Sequence, residues 1–370
     1  MNGNLSVILL DENLHSRWKE YVASHPHSAF SHHLGWKNII EKTYGHKTYY
    51  MVAVRVEEEE RSVAGVLPLV HIKHPLLTNN LVSLPFLDYG GILADNPEAE
   101  NSLLAEAIRL ARSLRVRSIE LRHLEPIFSL KSNGEDKTAS MAETKFLDWS
   151  IHVRSHKVRM LLALPSSSEM LMKSFKSKLR SQIHKPIKEG LVSKVGGEEL
   201  VDDFYEVFST NMRDLGSPVH SKELIVNVLH QFRQVAKIVM IYRNETPVAC
   251  SLMIGFKDTM SNPWASSLLE YRELSPNMLL YWTMLEYASN RGFKFFDFGR
   301  SSVDEGTYHF KEQWGAKPLP LAWYYISNGR RFDSMGTDKT KFNKAISCWQ
   351  KLPVPITKVI GPMIRKYISL

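Results

Sequence analysis

The sequence predicts an α/β protein built from mixed sheets flanked by helices, with one structural unit occurring twice. Two alternating apolar hairpins carry this reading: Thr48–Val56 with Val63–Val70, and Lys237–Arg243 with Val248–Phe256. Each hairpin leads to one more apolar segment, then a helix that opens on proline, then a short strand. The length, 370 residues, suits two domains at ~100–200 residues each. With 44% apolar and 23% charged residues, each half can bury its own core, which excludes disorder.

Taken in order, the first hairpin turns through the polar Glu57–Arg61 stretch, and its helix is expected over Pro97–Leu114, with Asp95 or Asn96 as cap. Ser118–His123 is the strand that follows, and the polar run Lys131–Thr144 is a loop by composition. Next comes a basic segment in which Phe175, Leu179, Ile183 and Ile187 form an apolar stripe at helical spacing, with Pro186 expected to kink or end the helix near His184 or Lys185. The second hairpin turns at Asn244–Pro247. Its helix is expected over Pro276–Asn290, capped by Ser275, and its strand over Lys294–Phe298. The tail contains Pro353, Pro355 and Pro362 and is read as short helices packed back on the body. The domains expected are 1–150, 151–330 and a basic helical tail, 331–370.

The net charge of +8 is localised. Arg154–Lys194 carries ten Lys/Arg against two Glu, and Arg331–Leu370 carries eight against two Asp, so the rest of the chain is mildly acidic. Such segments suit an anionic partner: RNA, a phosphate-bearing substrate or an acidic membrane surface, or else they are solvated helix faces. Cys250 and Cys348 stand in no metal-ligand or redox spacing, and no run reaches the ~18–20 apolar residues that span a bilayer. The start, MNGNLSVILLDENLHSRW, has no basic region before its apolar run. A cytoplasmic protein is expected, with peripheral inner-membrane contact through the basic tail as an option.

The densest stretch is FKFFDFGRSSVDEGTYHFKEQWG, from Phe293. Asp297-Phe298-Gly299 looks like a kinase metal-binding triplet, but the glycine-rich and catalytic loops that would accompany it are missing. What remains is a strand, a Gly-Arg-Ser-Ser turn and a short helix carrying Phe310, Lys311 and Trp314. Ligands bind at the carboxyl ends of strands in α/β units, so Arg300 and Lys311 are candidate contacts for phosphate or oxyanion. Asp297 is either part of that site or a structural lock to Arg300, and Trp314 is read as core. Asp88, in LPFLDYGGIL, is a candidate base or orienter, or a turn aspartate bonded to local backbone. His25, His27, His32 and His33 lack carboxylate or cysteine partners at ligand spacing, so no metal is expected. MLLYWTMLEY is core packing at helical spacing.

The chain resembles the FemAB-like transferases, tandem-domain relatives of the GNAT acyltransferases, and looks closest to the branch associated with exosortase and exopolysaccharide clusters. The motifs that carry this are FSHHLGW around Trp36, LPFLDYGGIL, FKSKLRSQIHKPIKEGL, NMRDLGSPVHS, LSPNMLLYWTMLEYASNRGFKFFDFGRS and TYHFKEQWGA, the last two together being specific. The resemblance implies two tandem GNAT-like domains and an acyl group, carried on transfer RNA or as a thioester, passed to an amine. It places Phe310 and Lys311 at the phenylalanine-lysine element that holds the donor's phosphate and steadies the oxyanion, and Arg213 at a position that contacts precursor phosphates. Asp297, Tyr308 and Trp264 complete the expected substrate-binding set with Arg300. Lys173, Lys176, Lys178, Arg180, Lys185 and Lys188 form a basic patch suited to an RNA backbone.

The function expected is transfer of an acyl or aminoacyl group to a cell-envelope or exopolysaccharide precursor. No tightly bound cofactor is expected, and the partner is phosphate-bearing: tRNA, or a nucleotide- or lipid-linked sugar, and not DNA. One alternative is an N-acyltransferase using CoA or a carrier, disfavoured because the turns before Pro97 and Pro276 lack glycines that bring amides onto a pyrophosphate. The other is a non-catalytic relative in a polysaccharide assembly complex.

Overall fold

The computed structural model describes residues 4–57, 60–75, 78–127, 143–154, 157–328 and 339–369. The chain divides into two compact units, and it passes between them four times: residues 1–158, 320–333 and 367–370 make the first, 159–319 and 334–366 the second. Residues 320–328, expected in the second domain, fall in the first unit, and the tail expected over 331–370 is divided between the two.

The first unit contains β1 (Asn4–Leu9), α1 (His15–Ser24), α2 (Gly35–Tyr44), β2 (Lys47–Glu57), β3 (Glu60–His74), β4 (Thr78–Val82), β5 (Leu93–Ala94), α3 (Pro97–Ser113), β6 (Ser118–His123), β7 (Glu143–Phe146) and β8 (Trp149–Arg154), and is joined by β16 (Ala322–Ser327). Among the described residues the sheet runs β1-β2-β3-β4-β6-β16-β8-β7, with β5 on β3. β2 and β3 form the expected hairpin, and β4 pairs with β6 in parallel. Asn96 caps α3 by accepting from the Ala99 amide at 3.0 Å, and Pro97 opens the helix. Its inward stripe, from Ala99 through Leu103, Ala107 and Ile108 to Ala111, is fully buried with the sheet residues Leu67, Leu81, Ile119 and Ile326. The loop expected over Lys131–Thr144 lies outside the described residues except its last two positions, which begin β7.

Arg122 on β6 is wholly buried and organises the 83–91 loop. Its Nε donates to Glu120 Oε1 at 2.9 Å and its two terminal nitrogens to the carbonyls of Leu87 and Ser369, at 2.6 and 3.0 Å. The guanidinium also lies 4.9 Å from the Trp323 ring centre. Next to it His123 is buried, and burial first, then the neighbouring His32, push its pKa down to about 3.

The second unit contains β9 (Lys157–Ala163), α4 (Ser168–Ser174), α5 (Ser177–Lys188), β10 (Leu191–Gly196), α6 (Val201–Asp214), α7 (Lys222–Gln231), β11 (Ala236–Arg243), β12 (Thr246–Phe256), β13 (Thr259–Ser267), α8 (Pro276–Asn290), β14 (Phe295–Ser302), α9 (Gly306–Glu312) and β15 (Lys317–Pro320), and is joined by α10 (Lys339–Gln350) and α11 (Val354–Arg365). Its sheet runs β10-β11-β12-β13-β14-β9-β15. Both α6 and α8 pack on β12, whose residues 248–255 are buried without interruption because helices cover both faces. The second hairpin turns on Asn244 and Glu245 alone, both at positive φ, and Pro247 already pairs with Tyr242 in the ladder.

Three local expectations are corrected. The basic segment is two helices broken at Phe175-Lys176, and Pro186 does not end the second: it sits in the last turn of α5, where one lost amide bond matters little, and Gly190 at φ +81 follows the C-cap. Pro186 is buried in place of Ile187, which is 48% exposed. Ser275 precedes α8 at φ +57 and makes no side-chain cap bond. The tail forms helices as expected and rests on α6: Arg213 donates to the Leu352 carbonyl at 3.1 Å, Gln350 to that of Asp214 at 2.8 Å, and Lys358 pairs with Glu206. Among the described residues no helix is long and apolar enough to cross a membrane.

Arg122→Ala should lower the free energy of urea unfolding by about 3–5 kcal/mol, since it strands Glu120 and two carbonyls inside the unit. His123 has a folded pKa below its unfolded one, so the unfolded chain takes up a proton first as pH falls. Its contribution is therefore constant above about pH 6.5 and is lost from there towards pH 3, at up to about 1.4 kcal/mol per pH unit. His123→Gln should flatten that part of a stability-versus-pH curve.

Candidate functional site

The site is built where the second sheet opens. β13 and β14 run parallel, yet they pair over only three residues, Thr259 with Phe295, Met260 with Phe296 and Ser261 with Asp297. β13 continues to Ser267 and β14 to Ser302, so their carboxyl ends form an unpaired fork. The cause lies in the Asp297-Phe298-Gly299 triplet. Gly299 has φ +74, a conformation costly for other residues, and it redirects β14 two residues beyond the last pair. Asp297, 1% exposed, accepts from the Gly299 amide through Oδ1 at 2.8 Å and from Arg159 Nε through Oδ2 at 2.7 Å. One carboxylate thus fixes the bend and ties β14 to β9.

α9 packs against β14 past this bend. Lys311 is 7% exposed, and its Nζ donates to the Arg300 carbonyl at 2.8 Å. The helix is held by rings: Tyr281 of α8 stacks on Phe298 at 5.5 Å with planes 12° apart and meets Phe310 edge-on at 5.0 Å. Trp314, buried as expected, contacts Phe175 at 5.7 Å and Phe310 at 6.3 Å. Burial of Tyr281 raises its pKa to about 12, so it stays neutral. A cation is therefore fixed at the carboxyl end of β14 by a rigid apolar frame.

On the cleft side of α9, an open cleft of 990 Å³ is bounded by the end of β9, α4, the start of α5 and the 309–315 segment. Leu162, Phe175, Leu179 and Trp314 make its apolar wall, while Lys176, Lys178, His309 and Gln313 bring polar groups to it. Lys176 is also the N-cap of α5 and has no acceptor to offer that helix's first amides.

The structure distributes the expected residues unevenly. Phe310, Lys311, Tyr308 and Arg300 gather at α9 and the end of β14. Lys176 and Lys178 line the cleft and Lys173 and Lys188 are exposed, whereas Lys185 donates to the Glu273 carbonyl at 2.8 Å and Arg180 to that of Phe175 at 3.3 Å. Trp264, on β13, is buried with its ring 5.8 Å from that of His220. Arg213 is engaged by Asp214 at 2.7 Å as well as by the tail. Asp88 belongs to the first unit, where its carbonyl accepts from Trp323 at 3.1 Å. The sequence marks Arg159 only as a cation inside the apolar run VRMLLA, and Tyr281 only as part of a core-packing stripe, so neither stands out there as a site residue. Among the described residues no cluster of three or more His, Cys, Asp or Glu is placed to hold a metal ion.

Residues 173–312, the stretch holding both fork strands and Lys311, match the acetyltransferase (GNAT) domain family. No curated protein matches the chain. Among solved structures, FemX is similar with a TM-score of 0.63 at 17% identity, over 87% of this chain and 98% of its own. The C-terminal DUF2156 domain of a protein assigned as a lysylphosphatidylglycerol synthetase in Agrobacterium fabrum gives 0.53 at 11%, over 86% and 98%. A tandem GNAT protein of the clavulanic acid pathway gives 0.51 at 12%, over 88% and 99%. The fold is that of two tandem GNAT-like units with mixed sheets flanked by helices, as the sequence predicts.

Asp297→Ala should cost about 3–5 kcal/mol in chemical unfolding by leaving Arg159 without its partner, and Gly299→Ala about 1–2 kcal/mol through its φ alone. Equal, negligible losses from both would show that the bend does not depend on them.

Proposed function

We propose that this chain is a cytoplasmic transferase that moves an acyl or aminoacyl group onto an amine of a cell-envelope or exopolysaccharide precursor. The observation that carries the reading is Lys311, a buried lysine held on the Arg300 carbonyl towards the carboxyl end of β14, inside the GNAT-matching stretch. In the reaction the amine attacks the acyl carbonyl, a C–N bond forms, and the C–O or C–S bond to the carrier breaks, the amine's proton leaving with the carrier's oxygen or sulfur. The carbonyl oxygen becomes negative on the way, and a preset cation in a partly dry site stabilises it there more than in the ground state. Positioning supplies much of the rest, because esters and thioesters are already activated.

A phosphate-bearing donor or acceptor is favoured by Lys176, Lys178 and the uncapped start of α5 at the cleft. Aminoacyl-tRNA and nucleotide- or lipid-linked sugars both have that chemistry. A second reading, an acyl-CoA-dependent N-acyltransferase, is favoured by the match to acetyltransferases. Against it, the turn into α8 offers a proline without an amide at the first helical position and Ser275 at φ +57, a poor cradle for a pyrophosphate.

Thermal-shift measurements with aminoacyl-tRNA, acyl-CoA and UDP-sugar precursors should single out one class, a ligand at 100 times its Kd adding about 2.7 kcal/mol. With that donor, Lys311→Met should reduce kcat by about 10²–10³-fold while the melting temperature stays close to that of the parent protein. An undiminished rate in that variant would remove Lys311 from the mechanism.

A further inference from the structure

α11 lies on the second unit the wrong way round for a soluble helix. The face that meets the protein is small and polar: Thr357 and Gly361 are buried, and a Cβ on Gly361 would stand 3.1 Å from both the amide nitrogen and the Cγ1 of Val219. The opposite face carries Ile356, Val359 and Met363 at i, i+3 and i+7, exposed by 46%, 67% and 63%. Side chains of this size turned outward in one stripe mark a surface that meets something apolar.

Polar contacts help to hold the orientation, beside the half-buried Val354 and Ile360. Lys358 pairs with Glu206, and Arg365 Nε donates to His220 Nε2 at 3.1 Å, a ring kept neutral by burial and by Arg365 itself. These bonds occupy the inner side of the helix and leave the stripe facing away. Charge then decides what covers it. Residues 339–369 contain seven Lys/Arg and no Asp or Glu, with Lys351 before α11 and Lys366 after it. A second copy docked by two-fold symmetry would set this cationic stretch against itself with no carboxylate of its own to answer it. An anionic lipid surface answers both features at once, taking the apolar stripe below its headgroups and the cations at their level.

We infer that α11 is an interfacial helix that seats the second unit on an anionic phospholipid bilayer. The inference stands apart from the proposed reaction, since none of its residues belongs to the fork or the cleft. Flotation of the full chain with vesicles of phosphatidylcholine, with and without phosphatidylglycerol, tests it. Binding is expected to the phosphatidylglycerol vesicles, to weaken as salt rises, and to fall about tenfold or more in the triple variant Ile356→Ser, Val359→Ser, Met363→Ser. That variant changes only outward side chains, so its melting temperature should match that of the parent. The inference is overturned if the parent protein stays unbound at low salt or if the triple variant binds equally well. It also fails if sedimentation shows a self-association that the triple substitution abolishes, which would assign the stripe to a second copy.

Discussion

A single buried carboxylate determines where the second sheet ceases to be continuous. Asp297 uses one oxygen on Arg159 and the other on the Gly299 amide, so the same group that anchors β14 to its neighbour on one side releases it from β13 on the other. Everything placed at the fork depends on that arrangement. The Arg300 carbonyl that holds Lys311, the Phe298 ring that carries Tyr281, and the seat of α9 all follow within a few residues of the bend. A buried ion pair is an expensive way to stabilise a fold, because desolvation offsets most of its attraction. Its value here is positional: it fixes the direction in which the strand leaves the sheet.

The first unit repeats the same plan. β4 and β6 pair in parallel over three residues, as β13 and β14 do, and each pair is bridged by a helix that opens on proline. Those parts were readable in the sequence because their causes are local: alternation in the hairpins, an asparagine and a proline at the start of α3, a helical stripe in α5. The domain borders were not, because they rest on pairing between distant residues. β16 joins β6 and β8 from about two hundred positions away, and Arg159 meets Asp297 across 138. Composition carries no record of such partners. The end of α5 was misjudged for a related reason, since a proline in the last turn of a helix removes one amide bond whose loss packing of its ring offsets.

The candidate site divides along the same line. Lys311, Phe310 and Arg300 stand close together in sequence, and the structure keeps them together at α9 and the end of β14. Asp297 reads from sequence as a site residue or as a structural lock to Arg300; the structure pairs it instead with Arg159 and the Gly299 amide. Arg213 likewise has structural partners in Asp214 and the Leu352 carbonyl, which any role in binding phosphate must accommodate. Identity of a side chain is visible in a sequence, but the occupancy of its hydrogen bonds is not.

The placement of β16 between β6 and β8 also has a temporal meaning. The ribosome completes β8 and then makes residues 159–319, the larger part of the second unit, before the strand that belongs beside it appears. At about 5–20 residues per second this interval lasts on the order of ten to thirty seconds. Throughout it, β6 and β8 present open hydrogen-bonding edges in a unit that cannot finish its sheet. The order of its strands therefore leaves these edges open to mispairing for longer than in a unit made without interruption.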